Sequence, residues 1–223
     1  MYQITTGGMI MMQNQMNQQG MQQSPNMQPK MNHGGHEMFD AHEIIAGMIN
    51  ILDQYQMYEQ FIKDPELKNI LQRQYTFIND TYNVMVEAFS SGKKPSHPTQ
   101  TYNMQQSNDI VYGLKPSQPK KPNQSVNELS EQGLSAYMLG QCKSMAGLLG
   151  MSACEITNPV FRRVIGDSVP NFIEMAYEIF LYQNKHNYYQ VPQLQQQDMN
   201  QMLNAFTTSP NAQMNQPQSK YMQ

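Results

Sequence analysis

The chain has no tryptophan, two cysteines in 223 residues, and charged side chains at only 14% of positions. Each shortage excludes something. Cys142 and Cys154 lie twelve residues apart on one expected helix, about 18 Å at 1.5 Å per residue, too far to close a disulfide with each other. They are expected to be buried thiols packing as small hydrophobes, with cross-linking between chains the lesser reading. No stretch approaches the roughly 18 apolar residues of a membrane helix. The opening MYQITTGGMIMMQ has neither a basic start nor an unbroken apolar run, so neither a secretion signal nor an anchor is expected. Without secretion, the glycosylation patterns Asn79-Asp80-Thr81 and Asn123-Gln124-Ser125 carry little weight. The net charge of −3 argues against nucleic-acid binding. Lys93, Lys94, Lys115, Lys120 and Lys121 make one segment locally basic, but the interleaved prolines indicate a solvated linker. No Ser-His-Asp arrangement, phosphate-cradling glycine loop or Cys-x-x-Cys pair points to an enzyme class.

What is present is a repeat. IKDPELKNIL, starting at Ile62, and ITNPVFRRVI, starting at Ile156, share one pattern ninety-four positions apart. Asp64 and Asn158 suit the N-cap, where a side-chain oxygen accepts orphan amides of the first turn. Pro65 and Pro159 suit the first helical position, which needs no N–H. Upstream, Ile44, Met48, Ile51, Tyr55, Tyr58 and Ile62 step by threes and fours, one apolar stripe along a helix. Leu67, Ile70, Leu71, Ile78, Met85 and Phe89 continue on a second helix that stops near Ser91-Gly92. A third helix is expected from about Glu128 to Glu155 and a fourth from about Pro159 to His186. One hairpin alone leaves an apolar face in water, and a second covers it. The expectation is an all-α fold, a four-helix bundle built from two duplicated helical hairpins.

A helix of about 25 residues is roughly 38 Å long, and the Pro/Lys/Gln-rich join from 93 to 127 is long enough to cross that distance or to make a simple up-down-up-down return. On the third helix, Gly133, Ala136, Gly140, Ser144, Gly147, Met151 and Cys154 form a stripe of mostly small residues, and close packing of a neighbour there is expected to offset the glycines. Pro170 is expected to kink the fourth helix or restart it after Asp167-Ser168. The domain organisation is therefore a Met/Gln/Asn-rich arm over 1–36, a first hairpin over 37–92, the linker over 93–127, a second hairpin over 128–190 and a Gln/Met-rich tail over 191–223. Lys30 is the one charged residue other than histidine in the first thirty-six. Such arms bury too little apolar surface to offset the entropy of ordering and are expected to be disordered or ordered only on a partner. Leu194, Met199, Met202, Leu203 and Phe206 can form one short amphipathic helix.

A bundle with a crossover invites comparison with di-metal proteins. Those hold iron or manganese with a Glu from each of two helices and Glu-x-x-His from each of the other two, a spacing that puts carboxylate and imidazole on one inward face. The sequence has no Glu-x-x-His. The second helix offers Gln74, Phe77, Ile78 and Thr81 instead, and the fourth offers Glu174 followed by Tyr177. His36, Asp40 and Glu43 share a helical face, with His33 and His42 near them, and are the candidate metal ligands. Acidic residues in a first turn also suit the helix dipole, and that capping role is the reading adopted: no metal, cofactor or catalytic residue is expected.

HEMFDAHEIIAGMINILDQYQMYEQFIKDPELKNILQRQ and LSEQGLSAYMLGQCKSMAGLLGMSACEITNPVFRRVIGDSVPNFIEMAYEIFLYQNK together resemble the Coat F family of endospore coat proteins from Bacillus-like bacteria. The resemblance covers roughly 37–190 and is most specific in the second hairpin. It implies a ferritin-like bundle, no catalytic residues and a place in or beneath the spore coat. The expected role is structural, with other coat proteins as partners, self-association compatible, and no nucleic acid or membrane insertion. Lys-Gln or dityrosine cross-links would suit the 13 tyrosines and the amide-rich arms, with Lys30 and Lys220 the expected lysines. Related ferritin-like proteins include manganese catalases associated with spores, so a di-metal enzyme is the alternative.

Overall fold

The computed structural model describes residues 33–209. The expectations for the outer parts of both arms, including cross-linking at Lys30 and Lys220, lie outside the described residues. Within them are α1 (Gly35–Glu59), α2 (Pro65–Ser91), α3 (Glu131–Ser152), α4 (Pro159–Lys185) and a short α5 (Gln196–Leu203), with one turn of 3₁₀ helix at Val126–Glu128.

The repeated helix starts are the same structure twice. The Asp64 carboxylate accepts from the Glu66 amide, and the Asn158 side chain accepts from the amides of Val160 and Phe161. Their backbones coincide, at φ −71°, ψ 118° and φ −72°, ψ 117°. α2 stops at Gly92, whose φ of +61° is a left-handed conformation that suits glycine. α4 runs unbroken through Pro170, so of the two expectations, a kink or a restart, the restart does not occur. The buried Ser168, Asn171 and Phe172 on either side hold the helix where one backbone bond is lost.

The apolar stripes meet as the periodicity predicts. Ile51 and Ile78 are buried, and so are Met145 and Phe172, each ninety-four positions further on. Full burial of such a side chain contributes about 1.5–3 kcal/mol. α1 packs on α2 and α3, and α4 packs on α2 and α3.

Contacts at the helix ends set the path. The N-terminal end of α1 meets the C-terminal end of α2, where the ring of His33 lies 5.1 Å from that of Phe89. It also meets the α3–α4 turn, where the Gly34 amide donates to Thr157 Oγ1 at 2.8 Å. At the other end, the Lys63 amide donates to Glu131 at the start of α3 (3.0 Å), and Tyr182 near the end of α4 donates to Asp64 (2.8 Å). α3 therefore begins at the end opposite to where α2 stops, and the join crosses the full length of the bundle. This is the ferritin-like path, with every adjacent pair of helices antiparallel.

The crossover lies in the groove between α2 and α4, and its first half is not a solvated linker. Tyr102 is 6% exposed, with its ring 5.2 Å from that of Phe77. Asn171 accepts from the Tyr102 amide and donates to the Gln100 carbonyl, both at 2.9 Å. Thirteen residues along the same helix, Asn184 accepts from the amide of Val111 (2.7 Å) and donates to its carbonyl (3.0 Å). A side-chain amide carries the same donor and acceptor as a strand edge, so each asparagine substitutes for a β-neighbour. All five lysines of the segment are exposed.

Two expectations about α3 are corrected. Ala136, Gly140, Ser144, Gly147, Met151 and Cys154 are exposed, and a Cβ added at Gly140 or Gly147 would meet nothing within 4 Å. α3 packs instead through Leu134, Met138, Cys142, Met145 and Leu149 on its other face, because burying large apolar groups outweighs close backbone contact. Close approach occurs at Gly47 of α1, where a Cβ would stand 2.9 Å from the Met145 side chain. Of the two thiols, Cys142 is buried but Cys154, in the turn after α3, is exposed. The short helix expected in the tail is α5, and none of its side chains is buried.

Candidate functional site

Connected sets of polar side chains occupy two places in the bundle, besides separate pairs such as Gln183 and Ser135. The first is the middle, where each helix contributes one: Tyr55, Gln74, Cys142 and Glu178, all buried. Tyr55 donates to the Gln74 carbonyl oxygen (2.9 Å), and its hydroxyl lies 3.5 Å from the Cys142 sulfur. The Gln74 amide donates to Glu178 (3.2 Å) and to the Met175 carbonyl (3.1 Å). The carboxylate of Glu178 is paired with Arg73 and also accepts from the Tyr102 hydroxyl and the Gln105 amide. Both carboxylate oxygens are thus engaged, and the positive partner comes from within the same chain.

Burial pushes the Cys142 thiol up to about 12, against the lowering effect of the Tyr55 hydroxyl, so it remains a thiol at neutral pH. Burial and the neighbouring Cys142 likewise push the Tyr55 phenol up, and burial with the bond to Glu178 raises that of Tyr102. The residues present do not fit a di-metal centre. Where four carboxylates and two imidazoles are required, the four helices supply one carboxylate already paired with Arg73, a phenol and a thiol held in their neutral forms, and an amide. Glu174, read from the sequence as the inward acid of α4, is only partly buried and lies beneath the crossover with Asp167. The inward acid is Glu178. Its signal was in the sequence: it falls between Met175, Ile179 and Tyr182 on an otherwise apolar stripe.

The second place is a pair of turn clamps, one at each end. Glu37 in the first turn of α1 is fully buried. It accepts from the Thr157 amide (2.8 Å), the Thr157 hydroxyl and the Asn158 amide (3.2 Å) in the α3–α4 turn, and from the Gly34 amide (3.2 Å). His33 completes the set, one ring nitrogen on Glu37 and the other 2.6 Å from the Phe89 carbonyl. Burial opposes ionisation of Glu37, but the bonds from Thr157, His33 and the backbone outweigh it and hold the carboxyl below its ordinary range. Glu131, ninety-four positions later, does the same at the other end. The amides of Lys63 and Asp64 in the α1–α2 turn overcome the burial penalty and lower its carboxyl too. Each hairpin thus holds the turn of the other.

The candidate metal ligands divide. His36 and Asp40 come together (3.7 Å), and Glu155 joins them, 3.0 Å from His36. Glu43 is exposed and outside this group. His36 and Glu155 are exposed as well, and exposed groupings of this kind are common without a metal ion. His33 belongs to the Glu37 clamp, and the His42 ring rests edge-on against Phe89 at 6.0 Å.

The Coat F domain profile matches residues 130–192. The spore coat protein F-like protein YhcQ of Bacillus subtilis (strain 168) is 53% identical over 173 residues, covering 78% of this chain and 80% of that protein. No solved structure matches. An identity of that level over a stretch longer than either hairpin makes the chain a member of the Coat F family of bacterial endospore coat proteins.

Proposed function

We propose that this protein is a structural, non-catalytic component of the bacterial endospore coat, a rigid helical carrier that assembles with other coat proteins. The closed polar core carries the reading. Every group that could do chemistry at the centre of the bundle is bonded to another group of the same bundle, which suits a strut better than a reaction chamber. Family membership supports it, and the relative's name is that of a coat protein and not of an enzyme. No helix among the described residues is long and apolar enough to cross a membrane. In this reading the arms make weak multivalent contacts to other coat proteins or further copies, and Lys30 and Lys220 are acceptors for any Lys-Gln cross-links.

The direct test is fractionation of spores carrying a tagged chain, comparing coat extract with core and mother-cell lysate. Recovery in the coat fraction is expected, and recovery only from vegetative cytosol would remove the assignment. Elemental analysis of protein purified without added metal is expected to find no stoichiometric iron or manganese. Two metals per chain would favour the di-metal alternative over the strut.

A further inference from the structure

The lysines of the second half of the crossover face a groove that the bundle does not fill. It measures about 830 Å³ and lies between residues 114–123, the first turns of α3 and the turn after α4. Lys115, Lys120 and Lys121 line it together with Gly133, Tyr137 and Tyr188. None of the three lysines has a carboxylate partner among the described residues. Several helical cations are paired, Arg73 with Glu178, Arg163 with Asp167 and Lys185 with Glu66, whereas of these three lysines only Lys120 has a side-chain contact among the described residues, its ammonium donating to the Tyr188 carbonyl at 3.4 Å. The positive end of the α3 dipole opens at the same place. In a chain of net charge −3 this is a local excess of positive charge beside two tyrosines, an arrangement suited to a ligand that brings carboxylates and extended backbone.

We infer that this groove is a docking site for an extended acidic segment of a partner protein, its carboxylates meeting Lys115, Lys120 and Lys121 and its backbone lying against Tyr137 and Tyr188. A long polyanion fits it poorly. Asp64 and Glu66 stand 3.8 Å from His186 at the rim, and Glu131 is close by at the start of α3, so a strand of uniform negative charge leaving the groove would meet carboxylates. The inference deepens the assembly reading by naming a partner's chemistry. Its test is binding in solution, which succeeds or fails whatever the spore fractionation shows.

The probe is a short fluorescein-labelled peptide of alternating glutamate and glycine, followed by anisotropy with the full chain at low salt. Replacing all three lysines, K115E/K120E/K121E, is expected to weaken binding at least about tenfold, while K93E/K94E, in the same crossover but outside the groove, leaves it within about twofold. Binding is also expected to weaken as salt is raised. A version of the peptide with a photoreactive residue is expected to cross-link the unmodified chain within 114–123 or near Tyr137. No binding by the unmodified chain, equal loss in both variants, cross-links elsewhere, or tighter binding of a single-stranded oligonucleotide of equal charge would each overturn the assignment.

Discussion

A Glu178→Ala variant is expected to lose about 3–5 kcal/mol of folding stability. The reason is what remains behind. Glu178 is fully buried and is the one negative charge at the centre of the bundle, so removing it leaves Arg73 partly buried without its counter-charge. It also strips the acceptor from the Tyr102 hydroxyl, the Gln105 amide and one Gln74 bond. Glu178→Gln keeps the shape but not the charge and is expected to cost nearly as much. Tyr102→Phe removes one bond and is expected to cost about 1 kcal/mol. Changing Glu178 and Arg73 together to leucine should recover the part of the loss due to the unpaired Arg73 charge, but not the part due to the Tyr102, Gln105 and Gln74 donors left without their acceptor. Urea unfolding measures all four. A loss under about 1 kcal/mol for Glu178→Ala would mean that the polar core is not what ties α2, α4 and the crossover together. The crossover should also become sensitive to protease in this variant, since Glu178 is one of its anchors on α4.

Glu37→Ala is expected to cost about 2–4 kcal/mol, and its signature is a changed response to acid. The Glu37 carboxyl is held below its ordinary value of 4.5, so the folded state favours the ionised form more than the unfolded chain does. Stability from this group is therefore fully present above about pH 4.5 and is lost as the pH falls through the depressed folded value. The native protein should lose stability steeply in that acidic window. Glu37→Gln, which cannot ionise, should be less stable at neutral pH and show a flatter acid profile. Parallel profiles for the two proteins would show that the clamp does not depend on the charge of Glu37. Glu131→Gln is expected to follow the same direction more weakly, because Glu131 is only partly buried.

The hairpins were legible in the sequence because their signals are local. A cap and a proline act within one turn, and the apolar steps of α1 and α2 need only the helical period. The small-residue stripe of α3 was misread for a related reason. Small residues and the series Leu134, Met138, Met145, Leu149 share the period of three and four, so periodicity shows two faces without saying which is buried. The larger apolar groups decide that, and they take the inner face. Glu178 is harder to read, because an isolated acid on an apolar stripe lacks the Glu-x-x-His spacing that marks a metal ligand. The clamps had a visible sign that went unused, since Glu37 and Glu131 stand at the same offset as the Asp64 and Asn158 turns. The asparagine anchors of the crossover left no sequence sign. Asn171 and Asn184 work only against a particular extended backbone, and nothing in a helix stripe announces that neighbour.

The path of the crossover has one geometric consequence of parity. Four helices alone make an even number of passages along the bundle and would bring the chain out where it went in. The extended traverse between α2 and α3 makes the count odd, so the backbone enters at the pole near His33 and leaves at the pole near His186. The two poles are separated by a helix of 27 residues, about 40 Å. His33 and His186 thus stand at opposite ends of the four-helix body. Such a unit is vectorial: copies joined tail to head run on in a line, and a single copy can bridge two surfaces without bringing its own ends together.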